Sequence, residues 1–328
     1  MTIKQIAKDL NLSMGTVSKA LNDARDVSEE TKQLVCEYAK KMGYSQSRVP
    51  GNRIALLYQF MQANYQNQLF FSVTTAFSLA ASNSRFEIVT DILANKDEKF
   101  NLNEYMENNH FAGAFVLGVN FDSPIYNQLV ESKLPLVLMD MYIPENPMLS
   151  SIGSESIPPI KTAVDYLRHL GHSKSGFLAG EQKSFVAAER FAAYILAISS
   201  AGIKFQSDYI YFGDFTKECG IEAARYFAET DVTAVICASD MMAMGLIDGL
   251  AERGIGVPDR ISVIGFDDLE LLRYTNYDLT TIRQDFNKIG ETAFQQLCDL
   301  IKGKPAQRII LPCQLVKRGS VRDLNLLS

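Results

Sequence analysis

From Arg53 onward the chain repeats one pattern: an apolar run of strand length, a polar turn, then a segment with helical spacing. The runs are RIALLYQF, FEIVTDI, GAFVLGV, PLVLMD, SGFLAG, YIYFGD, AVICASD and ISVIGFDD, and segments 157–170, 185–202, 216–229, 241–254 and 286–303 carry the helical period. Near-continuous Val, Ile and Leu marks strands covered on both faces, since a half-exposed strand alternates with polar residues. Strand–helix alternation requires crossover connections and hence parallel sheets. The number of runs suits two doubly wound lobes better than one sheet. In such folds small molecules bind beyond the carboxyl ends of the strands. Those ends are polar here: Asp140, Gly180-Glu181, Asp214, Ser239-Asp240 and Asp267-Asp268.

The strand ends do not compose a catalytic set. The chain has no Gly-x-Gly-x-x-Gly, no P-loop and no Gly-x-Ser-x-Gly. Asp267 and Asp268 are adjacent, and neighbouring strand residues point to opposite sides, so they are not expected to act as an acid/base pair. The three histidines, His110, His169 and His172, lack metal-ligand spacing, and the latter two read as cap and surface residues around LRHLGH. Five scattered cysteines without a Cys-x-x-Cys pair read as buried free thiols of a reducing cytosol. No apolar stretch approaches the ~18 residues of a membrane span. The opening MTIKQIAKDLNLS lacks the apolar core of a signal peptide. The expectation is a cytoplasmic protein without catalytic residues, metal or cofactor.

Before Arg53 the pattern is different. Ile3, Ile6, Ala7 and Leu10 mark one face of a short helix, and Asn11 can end it in the left-handed conformation. Ser13 reads as the N-cap of a second helix, about Met14 to Leu21, with Val17 and Leu21 inward. Ser28 caps a third helix that starts with Glu29-Glu30 and turns Leu34, Val35, Tyr38 and Met42 toward the core, with Gly43 as its C′ residue. Three short helices with one tight turn make a helix-turn-helix. The second would be the one to enter a major groove, offering Met14, Gly15, Thr16, Ser18 and Lys19. A helical bundle for protein contacts has the same spacing. Charge permits the DNA reading: the chain carries a net −6, yet residues 1–53 hold nine Lys and Arg against six Asp and Glu, a surplus of +3.

Residues 2–44, TIKQIAKDLNLSMGTVSKALNDARDVSEETKQLVCEYAKKMGY, resemble the head of the lactose and galactose repressor (LacI/GalR) family along their whole length. By position the resemblance implies that Met14, Gly15 and Lys19 read bases, while Ser13, Thr16, Ser18 and Asn22 position the DNA backbone. The body is similar to that family's periplasmic-binding-protein-like core in AVICASDMMAMGLIDGLAERGIGVPDRISVIGFDD, LTTIRQDFNKIGETAFQQL and ILPCQLVKRGSV. The implied fold is a small all-α helix-turn-helix head, 1–45, a shortened linker, 46–53, and a two-lobed α/β core of doubly wound parallel sheets, 54–328. Its N-lobe would be 54–152 plus 286–313 and its C-lobe 153–285 plus 314–328. Carried over singly, Asp140, Arg190, Ser239, Asp267 and Gln284 would hydrogen-bond effector hydroxyls. Phe215 would stack on a sugar ring, and His110 stands where some relatives carry Arg.

The linker departs from the family. Relatives follow the GY with Pro-Asn and a hinge helix whose leucine wedges into the minor groove, whereas GYSQSRVPGNRIALLY has a Pro-Gly turn signal and no such leucine. Weaker DNA bending is expected, with Arg48 and Arg53 left to track phosphates. The combined reading is a homodimeric repressor of a palindromic operator, controlled by a sugar or sugar phosphate. The alternatives are a purine-type corepressor system and, less favoured, a solute-binding protein. The chain's end, RDLNLLS, is too short for an appended tetramerisation coil.

Overall fold

A computed structural model describes residues 3–21, 24, 26–42, 52–59, 67–93 and 100–327. The chain forms two compact units, Met1–Pro50 and Gly51–Ser328. Asn22, Gly43 and residues 45–51, on which the hinge expectation rests, lie outside the described residues.

The first unit contains α1 (Ile3–Asp9), α2 (Met14–Leu21) and α3 (Glu29–Lys41). Asn11 ends α1 with φ 54, the left-handed value that its short polar side chain tolerates. The Thr16 amide donates to Ser13 Oγ at 2.9 Å, so Ser13 closes the start of α2, and Ser28 takes the Thr31 amide at 3.3 Å before α3. Ile6, Ala7, Val17, Ala20, Val35 and Ala39 form the core. Leu34 and Met42 do not join it and stand exposed, because the inward stripe of α3 runs through Val35 and Ala39 instead.

The second unit holds two six-stranded sheets. The first is ordered β11-β5-β4-β3-β1-β2 and is wholly parallel: β1 (Arg53–Tyr58), β2 (Glu87–Ile92), β3 (Phe111–Leu117), β4 (Leu136–Met139), β5 (Ser150–Ser154) and β11 (Arg308–Leu311). The second is ordered β12-β10-β9-β8-β6-β7: β6 (Ser175–Ala179), β7 (Ile210–Phe212), β8 (Ala234–Cys237), β9 (Ser262–Asp267), β10 (Thr280–Arg283) and β12 (Gln314–Val316). Only β12 at its edge is antiparallel. The chain therefore passes between sheets three times: after β5, after β10 and between β11 and β12. Gly153 and Ser154 still pair with Ile310 and Leu311, so the first passage falls after Ser154 and not at 153.

Helices α4 (Asn67–Ala81) and α11 (Phe286–Ile301) cover the first sheet, with Phe77 stacked on Phe115 at 5.1 Å and edge-on to Phe294 at 5.5 Å. Helix α5 (Leu102–Asn108) and α6 (Tyr126–Glu131) cover its other face through Leu102, Met106 and Leu129. The second sheet packs against α7 (Ile157–His169), α8 (Phe185–Ser200), α9 (Lys217–Ala228) and α10 (Asp240–Ala251). Helices α9 and α10 meet backbone to backbone: a Cβ on Gly245 would lie 1.9 Å from the Lys217 carbonyl oxygen.

Three surface expectations change. His172 is buried, bonded to Thr233 Oγ1 and the Arg322 carbonyl at 2.9 Å each, so it ties the last segment to the second sheet. Cys36 is an exposed thiol, whereas Cys219 and Cys237 are buried. Arg53 donates to the Asn109 carbonyl at 2.8 Å and lies over the Phe111 ring, so it belongs to the sheet edge instead of a phosphate-tracking linker.

Candidate functional site

The carboxyl ends of the two sheets face each other across a cleft lined by Asp140, Glu181, Arg190, Phe215, Ser239 and Asp267, among others. Each arrives through local backbone chemistry. Asp140 follows β4 with φ 55, Phe215 precedes α9 with φ 70, and Asp267 ends β9 with φ 124. Such angles cost a non-glycine residue about 1–3 kcal/mol, and they concentrate where side chains are aimed at ligands. Ser239 caps α10, accepting the Met242 amide at 3.2 Å, and its hydroxyl keeps a proton to donate. The Phe215 ring lies flat against Gly180, where a Cβ would sit 2.1 Å from Cζ, so the aromatic wall depends on glycine at that strand end.

Arg190 projects from the buried side of α8. Its Nη1 donates to the Ala238 carbonyl at 2.5 Å and lies 3.6 Å from Asp267 Oδ1, while its Cζ stands 3.8 Å from the Phe266 ring centroid. Its buried Nε has no partner among the described residues. Gln284 donates to Asp267 Oδ1 at 2.6 Å from behind, so it orients that carboxylate and does not itself line the cleft. Asp140 differs: among the described residues no donor is bonded to its carboxylate. Burial lifts its carboxyl to about 6, against the opposing pull of Arg190. Asp267 is raised to about 6 as well, by burial, with Arg190 and Gln284 working the other way. Asp240, beside Ser239, lies behind the cleft, where its oxygens accept from Thr281 Oγ1 at 2.5 Å and the Leu269 amide at 2.9 Å.

His110 is not at the cleft. It is exposed with φ 55 just before β3, at the amino edge of a sheet whose ligand-facing edge is the opposite one. Residues that sequence reasoning missed come from loops following strands. Asn120 donates to Glu181 Oε2 at 3.1 Å, the Phe121 amide donates to the Lys183 carbonyl at 3.0 Å, and Lys183 pairs with Asp122. The Phe121 and Phe185 rings are 5.8 Å apart. This clasp joins the lobes at the cleft. The only signal for it was that Asn120 and Glu181 each follow an apolar run.

In the head, the side of α2 away from the core exposes Met14, Gly15 and Lys19, with Ser13 before it, while Thr16 and Ser18 are half-buried. The Thr16 and Ser13 hydroxyls bond at 2.8 Å. Lys19 is paired with Asp26.

Residues 2–47 match the model of bacterial regulatory proteins of the lacI family, and residues 164–321 match the periplasmic binding protein-like domain. The HTH-type transcriptional repressor PurR of Mannheimia succiniciproducens is 32% identical over 340 residues, spanning 98% of this chain and 99% of that one. The PurR of Photobacterium profundum is 30% identical over 333 residues, 99% of both chains. The chain belongs to the lacI family of bacterial regulatory proteins. It is a DNA-binding transcriptional repressor with a periplasmic-binding-protein-like effector domain, not an enzyme. A transcriptional regulator CelR–cellobiose complex superposes with a TM-score of 0.74 at 26% identity, over 98% of this chain and 99% of that one. The lac repressor dimer bound to operator and the anti-inducer ONPF shares the fold, with a TM-score of 0.70 at 23% identity over the same shares. No helix among the described residues is long and apolar enough to cross a membrane.

Proposed function

We propose that the cleft binds an uncharged sugar and that its occupancy changes the affinity of a homodimer for a palindromic operator in the cytoplasm. The carrying observation is the Asp140 carboxylate, half-buried in the cleft wall and without a protein donor among the described residues. A carboxylate partly withdrawn from water favours donors, and a pair of sugar hydroxyls supplies them. Arg190, Ser239 and Asp267 add bonds of both polarities, and Phe215 offers an apolar wall to a ring face. Asp140, Glu181 and Asp267 outnumber the single guanidinium of Arg190, which favours a neutral ligand over a sugar phosphate. The CelR complex holds cellobiose.

The functional division is a head at 1–45, a linker at 46–53 and an effector core from 54. Met14, Gly15 and Lys19 read bases, and Ser13, Thr16, Ser18 and Asn22 position phosphates. Phe71 and Leu79 stand exposed on α4, apolar area that a second copy would cover. Two heads give the paired half-site contacts that one small head cannot.

A thermal-unfolding screen of neutral mono- and disaccharides, sugar phosphates and nucleobases tests the ligand. A neutral sugar should stabilise the protein by about 2.7 kcal/mol at 100 times its Kd, and its effect on operator anisotropy gives the sign of control. Stabilisation by a nucleobase alone, together with tighter operator binding, would establish the purine-type corepressor reading instead.

A further inference from the structure

Lys19, in the last turn of the second head helix, is not a free cation: it bonds to and is ion-paired with Asp26. We propose that Asp26 gates Lys19, suppressing the head's grip on non-operator DNA more than its grip on the operator. The inference rests on the reading of Lys19 as a DNA-facing residue.

Asp26 is held in place by its surroundings. The Ala24 amide donates to the Lys19 carbonyl at 2.9 Å, and the Val27 amide donates to the Ala24 carbonyl at 3.2 Å. Val27, the next residue, packs against the head core, and Ser28 after it caps α3. These backbone bonds set Asp26 beside the end of α2, and the side chains of Lys19 and Asp26 are 57% and 60% exposed, a surface ion pair whose modest strength suits a several-fold effect. The Lys19 bond also pulls the Asp26 carboxyl below its ordinary range, so it remains charged at neutral pH.

The charge arithmetic differs between the two kinds of DNA site. An ammonium has three donors and can bond a guanine O6 or N7 while keeping Asp26. A phosphate is an anion: to take Lys19 it must approach Asp26 against like-charge repulsion, so a Lys19 held by Asp26 neutralises little phosphate charge and frees few of the DNA's condensed counterions. Random DNA offers Lys19 chiefly phosphates, whereas the operator can offer a base edge. Asp26 therefore penalises the non-operator mode selectively.

The test is a double-mutant cycle on the full-length protein, with Asp26→Asn, Lys19→Ala and both together. Fluorescence anisotropy is read on operator and on scrambled duplexes across a salt series. Asp26→Asn should raise scrambled-duplex affinity several-fold with little change on operator. The log–log salt slope should steepen by about 0.9 for each Lys19 released onto a phosphate. Both effects should disappear in the Lys19→Ala background. Equal gains on both duplexes, or gains that persist without Lys19, would show a general charge effect and overturn the gate. A loss of operator affinity in Asp26→Asn would mean that Asp26 serves base reading and would overturn it too. If Lys19→Ala leaves operator affinity unchanged, the DNA-facing reading of Lys19 is what fails. Unchanged thermal unfolding confirms that each variant is folded.

Discussion

Asp140 and Asp267 hold carboxyl groups that burial has lifted to about 6 from an ordinary 3.8. A group whose folded pKa is raised binds its proton more tightly in the folded state. Each therefore costs stability as an anion at pH 7, and the cost fades as pH falls through 6 toward 4. A ligand whose hydroxyls donate to these carboxylates needs them ionised. Acidification from pH 7 to about 5 should thus stabilise the empty protein at these two sites while weakening ligand binding, so the gap between the liganded and empty melting temperatures narrows. Asp140→Asn, which removes the charge but keeps the shape, should cost the ligand about 1.5–3 kcal/mol, a charged hydrogen bond's worth. It should also flatten the pH dependence of the gap. Calorimetry across that range checks both, and an unchanged affinity would remove Asp140 from the ligand's partners.

At the scale of elements, the two sheets were legible where strands are buried on both sides, because runs rich in isoleucine, valine and leucine announce themselves. Strand β5, with the small residues Ser150-Ser151-Ile152-Gly153-Ser154, was invisible as a run: it is buried by what lies on either side of it, not by its own apolarity. Strands β11 and β12 are short edge strands whose identity depends on pairing partners far away in sequence. Helix α4 carries Phe71 and Leu79 on its outside, mixed with Thr75 and Ser78, as well as Val73 and Phe77 inside, so its outer side is not uniformly polar and does not reveal its period. The site followed the same rule. Asp140, Ser239 and Asp267 sit at strand ends that the alternation located, and Arg190 and Phe215 came only from the family resemblance, whereas Asn120 and Lys183 act through contacts between lobes that no local pattern encodes. The α9–α10 contact gives an element-scale prediction. Gly245→Ala places a methyl 1.9 Å from the Lys217 carbonyl oxygen, so the helices must separate. Overpacking typically costs about 1–3 kcal/mol, more than the ~1 kcal/mol that alanine gains over glycine in a helix. The urea midpoint of the second sheet's unit should fall, and an unchanged midpoint would mean that the helices shift freely.

For the molecule as a whole, the clasp of Asn120, Phe121 and Asp122 against Glu181, Lys183 and Phe185 joins the lobes beside the cleft that the effector must enter. If opening limits entry, Phe121→Ala should raise the association and dissociation rates of the effector together, with a smaller change in Kd. Stopped-flow measurement with the sugar found by the screen reads this directly, and unchanged rates would make the clasp a passive contact. The threefold passage of the chain between lobes has a consequence of another kind, in the order of synthesis. The head's three helices are complete by residue 41, but the first sheet lacks β11 until residue 311 and the second lacks β12 until residue 316. At about 5–20 residues per second the interval is roughly ten seconds to a minute. During that time a nascent chain carries a finished reading head and two unfinished sheets, each with an open edge. Neither lobe can mature ahead of the other, so a message interrupted late yields a protein damaged in both lobes at once, not one with a single working half.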